Sequence, residues 1–328
     1  MPEVYIVSAK RTPIGKFGKS YAKIKATMLG SAAVKAAVEE SGIEKDKVEE
    51  VIMGNVIQAG LGQNPAGQAA FYAGLPNEIT KYTVNVVCAS GMLAVESAAR
   101  EIMLGEHDVI VAGGMESMSG SPFLMPSDFR WGPKHLLHKN LTFGDSMLTD
   151  ALTDAFYFEH MGVSAERSAR KYNVNREMAD KYSVQSFERA IRATESGEFA
   201  KEIVPYEGLS QDEGLRKTGM DDLAKLPPAF EKNGILTAGN SAQLSDGGSA
   251  LLLASEKAVK EYGLRPIARI TGYASASLDP RDFVEAPIPA TRKLLEKQNK
   301  KIDYYDLVEH NEAFSIASVI VRDQLGID

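Results

Sequence analysis

The sequence predicts an α/β fold in which helices cover the faces of a sheet. Short apolar runs alternate with segments of helical spacing along the N-terminal part of the chain, which is the pattern of layered α/β domains. The same order of elements returns near the C-terminus, which indicates an internal duplication. A long irregular stretch separates the two copies, so the prediction includes an inserted region.

The first copy accounts for residues 1–118. Its predicted strands are residues 4–9, 48–53, 83–88 and 108–112, and its predicted helices are residues 28–41, 64–74 and 92–103. Apolar runs of strand length and alanine-rich helical spacing favour these assignments. Gly42 and Gly74 stand where glycine commonly ends a helix. Gly113 and Gly114 are predicted to end the last strand.

Residues 119–245 are predicted to form an inserted loop domain. The stretch begins with a segment rich in serine, proline, methionine and aromatic residues, and it contains a charged amphipathic helix pair at residues 163–196. A long insertion on a regular scaffold usually has a binding function or forms a lid. The chain then returns to the first half at residues 246–265, with strand character at residues 250–254.

The second copy occupies residues 266–328 and is predicted to be incomplete. Its elements are a strand at residues 267–274, a helix at residues 290–298, a strand at residues 305–309 and a helix that ends near residue 325. In the first copy the same order leads into a strand–Cys88–helix–strand block, which has no counterpart in the second copy. The repeat therefore predicts that a C-terminal piece is missing.

Composition argues against several classes of function. The 328 residues have a net charge of −7, which disfavours a nucleic-acid partner. No apolar run approaches the roughly 18 residues of a membrane span, and no signal peptide precedes the first strand, so we expect a cytoplasmic protein. The single cysteine excludes an internal disulfide. The five histidines show no metal-ligand spacing, so no metal site is predicted.

Cys88 is the candidate nucleophile. It lies at a predicted strand–helix junction, where the helix dipole and free backbone N–H groups stabilise a thiolate and lower the pKa of the thiol. Ser90 and Gly91 are small and leave room for a substrate carbonyl to approach the sulfur. The competing interpretation is a buried cysteine that packs beneath the strand. No local signature of a papain-like Cys–His hydrolase is present.

An ordered set of motifs resembles the thiolase family. The string around Cys88 takes part in this resemblance, together with Ala112-Gly113-Gly114-Met115-Glu116-Ser117-Met118 downstream. The other matches are Val7-Ser8-Ala9-Lys10-Arg11-Thr12-Pro13-Ile14-Gly15, Gly62-Gln63-Asn64-Pro65-Ala66, Thr237-Ala238-Gly239-Asn240, Asp246-Gly247, Pro287-Ile288-Pro289-Ala290 and Asn311-Glu312-Ala313-Phe314. These motifs occur in family order across the whole chain.

The resemblance implies a five-layered fold of two similar βαβαβαββ halves, with a loop domain inserted in the first half. It also implies a covalent acyl intermediate on Cys88. One acetyl-CoA acylates the cysteine, and a second, deprotonated at its methyl carbon, attacks the thioester to give acetoacetyl-CoA; thiolysis is the reverse reaction. No separate cofactor is implied, because the coenzyme A thioester is itself the substrate.

Further site residues follow from the resemblance by position. Asn311 would bind a water that faces the thioester oxygen of the enolate, and a turn residue after a strand is the competing interpretation. His160 and Met161 resemble the pair that lines the pantetheine tunnel, whereas a surface histidine at a helix end is the alternative for His160. Arg216 and Lys217 would contact the CoA nucleotide, and a solvated charged loop is the competing interpretation. The other positions that match the CoA channel are Leu152, Phe230, Ala238, Leu244 and Phe314.

The sequence departs from the family pattern in three places. The family's Gly-His-Pro and Cys-x-Gly-Gly-Gly motifs do not occur, and His310, the one histidine after the insertion, occupies a different position. The serine expected two residues after Asn240 is replaced by Ala242, with Ser241 beside it as the remaining pantetheine contact. Residues 283–286 differ from the family's Met-Gly-x-Gly. Lacking the activating histidine and the second cysteine, the chain by itself is expected to be a poor catalyst.

The expected function is the condensation of two acetyl-CoA, with acetyl-CoA, acetoacetyl-CoA and CoA as ligands, in lipid metabolism. A longer-chain 3-ketoacyl-CoA thiolase is one alternative, and a condensing enzyme of the β-ketoacyl synthase type is another, against which the insertion argues. A third alternative is a half-catalytic or non-catalytic subunit whose partner chain supplies the missing histidine and cysteine. Family members are dimers or dimers of dimers, so we expect a homodimer or homotetramer.

Overall fold

The computed structural model describes residues 2–137 and 140–327, which divide into two compact units. The first unit comprises Met1–Leu152, Glu202–Glu213 and Leu244–Ile270. The second comprises Thr153–Lys201, Gly214–Gln243 and Thr271–Asp328. We refer to the first as the sheet unit and to the second as the helical unit, because the regular elements described in the second are helices.

Strands and helices alternate along the sheet unit, as the sequence predicts. The strands are β1 (Val4–Arg11), β2 (Gly15–Lys16), β3 (Glu50–Gly54), β4 (Thr80–Val84), β5 (Val109–Ser117), β6 (Phe123–Leu124), β7 (Gly144–Asp145), β8 (Ser245–Ser255) and β9 (Ala268–Ile270). The α-helices are α1 (Ala26–Ser41), α2 (Pro65–Tyr72), α3 (Ser90–Leu104), α4 (Met161–Lys171), α5 (Arg176–Glu195), α6 (Met220–Ala224), α7 (Glu256–Glu261), α8 (Pro287–Gln298) and α9 (Ser315–Leu325). Short 3-10 helices cover Lys45–Lys47, Ser127–Trp131, Pro133–His135, Phe199–Lys201, Pro280–Glu285 and Ile302–Tyr304, and a π-helical turn covers Leu148–Leu152.

A mixed sheet forms the centre of the sheet unit. Its strand order is β4-β3-β5-β8-β1-β9, and β2 pairs with β8. Strands β4, β3 and β5 are parallel, whereas β8 is antiparallel to both β5 and β1, and β9 is antiparallel to β1. Parallel neighbours require crossover connections, and α2 and α3 provide them in this chain.

Helices cover both faces of this sheet. Successive side chains of a strand point to opposite faces. Val51 and Met53 of β3 therefore pack in one apolar cluster with Val34 of α1, while Ile52 packs in another cluster with Ala98 of α3. Burial on both faces explains why β3 reads as a continuous apolar run rather than as an alternating one.

The helical unit has an apolar core of its own. Ala165 and Ala169, one turn apart on α4, meet Leu236 in this core, and Ile316 and Ile320 of α9 complete it. The two-helix pattern that the sequence predicts at residues 163–196 is confirmed by α4 and α5. Within the part of the chain that the structure describes, no helix combines the length and apolarity that crossing a membrane requires.

Two predicted strands around the candidate nucleophile have different ends in the structure. The strand predicted at residues 83–88 ends at Val84, because Val84 pairs with Gly54, the last residue of the neighbouring strand β3. Beyond it, Val87 has a positive φ that is incompatible with an extended strand. The strand predicted at residues 108–112 continues to Ser117 as β5. Gly113 and Gly114 did not end it, since β3 and β8 pair with them from both sides.

The predicted strands of the second copy are mostly wrong. Residues 305–309 are irregular, and only Ala268–Ile270 of the segment 267–274 is a strand. A strand needs a neighbouring strand to satisfy its backbone N–H and C=O groups. Among the described residues, no strand lies beside residues 305–309. Their apolar pattern therefore did not lead to a strand.

Glycines allow the first turn of α3 to lie directly against the sheet. A Cβ atom on Gly54, the last residue of β3, would lie 2.5 Å from the backbone nitrogen of Gly91. Gly114 of β5 approaches the same turn, since a Cβ there would lie 3.3 Å from the Gly91 Cα. A clash with backbone atoms cannot be relieved by a side-chain rotation, so Gly54 sets the depth at which α3 begins.

Gly54→Ala is expected to lower the free energy of unfolding by about 1–3 kcal/mol, because an added methyl group overpacks the contact between β3 and α3. Urea denaturation followed by circular dichroism measures the change. Gly91→Ala is the matched control on the same contact, because its Cβ would meet no atom closer than 3.8 Å. Equal stability of the two variants would contradict the assigned role of Gly54.

A pair of carboxyl groups lies at the other end of β3. Glu50, the first residue of that strand, is only 2% exposed. Desolvation is the main cause that raises the pKa of Glu50 to about 8, and a hydrogen bond with the neighbouring Glu101 of α3 and the charge of Glu101 contribute to the same increase. Glu50 is therefore protonated in the native state at neutral pH, whereas an unfolded glutamate has a pKa of about 4.3.

Glu50→Gln is expected to remove part of the pH dependence of stability. Between about pH 4.5 and pH 8 the native state binds a proton that the unfolded chain releases, so this group lowers the free energy of unfolding by up to about 1.4 kcal/mol per pH unit as the pH rises. Urea titrations in a chelating buffer at several pH values measure the difference between wild type and variant. Glu106→Gln, an exposed neighbour of the pair, is the control, and parallel curves for wild type and Glu50→Gln would refute the assignment.

Candidate active site

Cys88 lies in a tight turn between β4 and α3. The turn contains Val87 with a φ of +56°, a left-handed conformation that is an outlier for a β-branched residue. The Asn85 side chain accepts a hydrogen bond from the Val87 N–H at 3.0 Å. The Ser90 hydroxyl accepts one from the Val86 N–H at 2.9 Å and donates one to the Val87 carbonyl at 2.5 Å. These side chains hold the strained turn that presents Cys88 immediately before α3.

The thiol of Cys88 differs from the prediction in its acidity. Cys88 is exposed, as a nucleophile must be. Its pKa, however, is raised rather than lowered, because the desolvation of the sulfur outweighs the backbone hydrogen bond that favours the thiolate, and the charge of Glu116 adds to the increase. The predicted decrease in the pKa is therefore not found, and ionisation of Cys88 near neutral pH requires a base.

Glu116 is a site residue that the sequence analysis did not single out. It lies on β5, and its carboxylate accepts hydrogen bonds from the Asn55 side chain at 2.9 Å and from the Val56 N–H at 2.9 Å. Desolvation raises the pKa of Glu116, while the hydrogen bonds from the backbone and from Asn55 oppose this increase. The sequence feature that could have indicated Glu116 is its position in the Gly-Gly-Met-Glu string, which resembles the thiolase family.

In the helical unit, His160 belongs to a chain of aromatic rings. Its imidazole is stacked on Phe230 with ring centroids 5.1 Å apart. Phe230 in turn meets Phe314 edge to face at 5.8 Å, and Phe314 meets Phe283 at 6.5 Å. The structure thus brings together three residues that the family resemblance assigned to the CoA channel, namely His160, Phe230 and Phe314. Phe283 extends the chain and was not predicted.

His160 is held as a neutral ring. Its Nδ1 accepts a hydrogen bond from the Gly162 N–H at 3.0 Å and so caps α4. A nitrogen that accepts cannot also be protonated, so the ring proton lies on Nε2. Desolvation lowers the pKa of His160 in agreement with this tautomer. The Nε2–H group is therefore available as a hydrogen-bond donor. The place of His160 at the start of α4 also agrees with the alternative interpretation, a histidine at a helix end.

Asn311 is exposed, and hydrogen bonds hold the residues on either side of it. Its carbonyl accepts a hydrogen bond from the Ala313 N–H at 2.9 Å. Glu312 accepts hydrogen bonds from the Tyr182 hydroxyl at 2.7 Å and from the Ser186 hydroxyl at 2.6 Å, which join this segment to α5. His310 contacts the Ser318 hydroxyl of α9 at 3.0 Å. The segment is thus positioned from both sides, and the Asn311 side chain extends from an ordered turn.

Ser241, which stands beside the family departure at Ala242, is partly buried. Ser241 forms a short antiparallel bridge with Phe314, and the neighbouring Ala242 N–H donates to the Ala313 carbonyl at 2.9 Å. Among the described residues, the Ser241 hydroxyl has no hydrogen-bond partner although its oxygen is buried. Burying a hydroxyl without a hydrogen bond lowers the stability of the fold by about 1–3 kcal/mol. The Ser241 hydroxyl is therefore a candidate partner for a polar group of a ligand.

Arg216 and Ala238, two of the predicted CoA contacts, adjoin each other. The Arg216 guanidinium donates to the Ala238 carbonyl at 3.3 Å and lies 5.2 Å from the ring centre of Phe187. Both residues are exposed. Lys217 pairs with Glu195 at 3.9 Å on the same exposed surface. The arrangement supplies an accessible positive charge beside an aromatic ring, which suits a nucleotide with phosphates.

The remaining predicted residues are distributed between the two units. Met161 is partly buried and packs against the core of the helical unit. Cys88, Leu152 and Leu244 belong to the sheet unit. Leu152 ends the π-helical turn, and the Leu244 carbonyl accepts a hydrogen bond from the Phe17 N–H at 3.1 Å.

Known proteins resemble this chain over its whole length. The sequence matches the thiolase N-terminal domain over residues 4–257 and the thiolase C-terminal domain over residues 264–328. An acetyl-CoA acetyltransferase of Rhizobium meliloti is 44% identical over 336 residues, which cover 100% of this chain and 84% of that protein. The acetyl-CoA acetyltransferase of Bacillus anthracis has a TM-score of 0.94 at 39% identity, covering 100% of this chain and 84% of the other.

A second solved structure is a thiolase from Ascaris suum in complex with coenzyme A. It has a TM-score of 0.95 at 36% identity, and the alignment covers 99% of this chain and 85% of that one. These likenesses confirm the α/β fold class that the alternating strands and helices predicted. Since the family domains match almost every residue and the identities are high over the full alignment, the chain belongs to the thiolase family.

Proposed function

We propose that the protein is an acyl-CoA acyltransferase that condenses two acetyl-CoA into acetoacetyl-CoA and CoA, or catalyses the reverse thiolysis. The observation that supports this most strongly is Cys88, an exposed thiol on a strained turn immediately before α3. Family membership and the names of the relatives point to the same reaction. The substrate is itself a coenzyme A thioester, so the proposed reaction uses no additional cofactor.

The reaction proceeds by two acyl transfers. The Cys88 thiolate attacks the carbonyl carbon of acetyl-CoA, a carbon–sulfur bond forms, and CoA leaves as a thiol after it takes a proton. A second acetyl-CoA then loses a proton from its methyl group to a base, and the resulting carbanion attacks the acyl-cysteine. The new carbon–carbon bond forms as the bond to the Cys88 sulfur breaks, which releases acetoacetyl-CoA and restores the thiolate.

Each attack turns a carbonyl oxygen into an oxyanion that needs hydrogen-bond donors. Backbone N–H groups at the start of α3 are suited to the acyl-cysteine, because a helix N-terminus favours negative charge. We propose that Asn311 binds a water molecule, and that this water would stabilise the enolate of the second acetyl-CoA. The raised pKa of Cys88 means that acylation also depends on a base that accepts the thiol proton.

The helical unit is proposed to bind the CoA moiety. His160, with a hydrogen on Nε2, would donate to a polar group of the pantetheine, while Phe230 and Phe314 provide an apolar wall. Arg216 would pair with a phosphate of the nucleotide from its place beside Phe187. Met161, Ala238 and Ser241 of the helical unit are assigned to the same CoA contacts. Leu152 and Leu244 of the sheet unit stay predicted CoA contacts by their family positions.

The assembly and the compartment form part of the proposal. We place the protein in the cytoplasm and expect a homodimer or homotetramer, or a complex in which a second chain contributes a histidine and a cysteine. Sedimentation of the purified protein, alone and co-expressed with candidate partners, measures the assembly. A strictly monomeric protein that is fully active would contradict it.

Acetyl-CoA is expected to leave one acetyl group on Cys88. Intact-mass spectrometry before and after incubation measures the adduct, and Cys88→Ala is a clean control because the chain has only this cysteine. The adduct should form faster as the pH rises from 7 to 9, since the raised pKa keeps the thiol protonated at neutral pH. Octanoyl-CoA is compared in parallel. Equal labelling of the Cys88→Ala variant would exclude Cys88 as the nucleophile, and preferential labelling by octanoyl-CoA would favour a longer-chain thiolase.

Arg216→Ala is expected to weaken CoA binding about tenfold or more, because a hydrogen bond to a charged group contributes roughly 1.5–3 kcal/mol. Calorimetry with CoA and with pantetheine separates the two halves of the ligand: the affinity for pantetheine should not change. Lys225→Ala, an exposed lysine of the same unit that pairs with Asp222, is the control. Equal weakening for pantetheine and CoA would show that Arg216 does not contact the nucleotide.

A further inference from the structure

Three potential metal ligands meet at the end of α3 that lies away from Cys88. Glu50 begins β3, Glu101 lies in the last turns of α3, and His107 follows that helix. One ligand atom from each residue lies within 4.8 Å of those of the other two. The His107 Nε2 is 3.8 Å from a carboxylate oxygen of Glu101. Glu50 is distant in sequence from Glu101 and His107, so the sequence has no metal-ligand spacing that predicts the group.

Glu50 is the member that requires explanation. It is 2% exposed, and one of its carboxylate oxygens, Oε2, is buried without a hydrogen-bond partner among the described residues. Neither Glu50 nor Glu101 forms an ion pair with a lysine or arginine in the part of the chain that the structure describes. A buried carboxylate must be neutralised by a proton or by a cation, and the basic residue beside this pair is an imidazole.

We propose that Glu50, Glu101 and His107 form a binding site for a divalent transition-metal ion of the Zn²⁺ type. Two carboxylates and one imidazole are a ligand set that Zn²⁺ accepts, with a fourth position left for water. Two ligands of one Zn²⁺ lie about 3–4 Å apart, because each bond is roughly 2.0–2.2 Å long. Side-chain shifts on the order of 1 Å therefore close the observed group around an ion.

The surroundings of the three residues favour a cation. The C-terminal end of a helix has partial negative charge from its free carbonyl groups, and this group lies at that end of α3. The Tyr82 hydroxyl donates to Glu101 Oε1 at 2.8 Å, which orients the carboxylate as an outer ligand contact commonly does. Glu101 and His107 are partly exposed, so an ion can enter from solvent. A bound ion would join β3 to the end of α3.

Calorimetric titration of the full chain with Zn²⁺ tests the site. The chain is first treated with chelator and carries Cys88→Ser, because a free thiolate also binds zinc. One ion per chain is expected, with an increase in melting temperature of a few degrees when the site is filled. Glu50→Gln, Glu101→Gln and His107→Ala should each weaken the binding by about 10- to 100-fold or more. Glu106→Gln, on the same connection but outside the group, should bind as the parent does.

Two results would overturn the proposal. One is Zn²⁺ binding that does not saturate, in which case the carboxyl pair is neutralised by its proton alone. The other is binding that is unchanged in His107→Ala and Glu101→Gln, which locates the ion elsewhere. Melting temperatures of all variants in chelator show that each is folded, and His107→Ala, on an irregular connection, keeps the test informative if Glu50→Gln is unstable. The outcome does not depend on the acyltransferase function.

Discussion

The close approach of α3 to the sheet is the constraint on which the candidate active site depends. Gly54 and Gly114 leave no side chain between the strand ends and the first turn of the helix, so the backbone of Gly91 lies directly on β3 and β5. The turn before the helix must then reverse within the few residues that follow Val84. That short path places Val87 in a left-handed conformation and Cys88 at an exposed position immediately before the helix. Packing across the sheet thus compensates for local strain.

The position of α3 against the sheet also determines which ionisable groups lie at its two ends. At its beginning, desolvation of the sulfur and, to a smaller extent, the charge of Glu116 raise the pKa of Cys88. At its end, Glu50 and Glu101 form a carboxyl pair with His107 nearby. The C-terminal end of α3 thus agrees with the helix dipole, which favours a cation there, whereas the raised pKa of the candidate nucleophile at the other end does not follow from it.

In the helical unit, the candidate CoA contacts are positioned by helices, which are the regular elements among its described residues. Its aromatic chain from His160 to Phe283 is fixed by the caps and cores of α4 and α9 rather than by a sheet. Polar contacts from α5 to Glu312 fix the segment that contains Asn311. The hydrogen bond from Gly162 to His160 sets the tautomer of the ring. The candidate CoA contacts of this unit and the turn that contains Cys88 are therefore held by different kinds of packing.

The sequence alone determined the alternation of strands and helices, the family and the choice of Cys88, because apolar periodicity and short ordered motifs are local properties of the chain. It did not predict where β4 and β5 end, since pairing with neighbours decided both, and it predicted a strand at residues 305–309 that has no partner among the described residues. It also missed the raised pKa of Cys88 and the meeting of Glu50, Glu101 and His107. Burial and contacts between distant segments produce these features, and only the tertiary structure creates them.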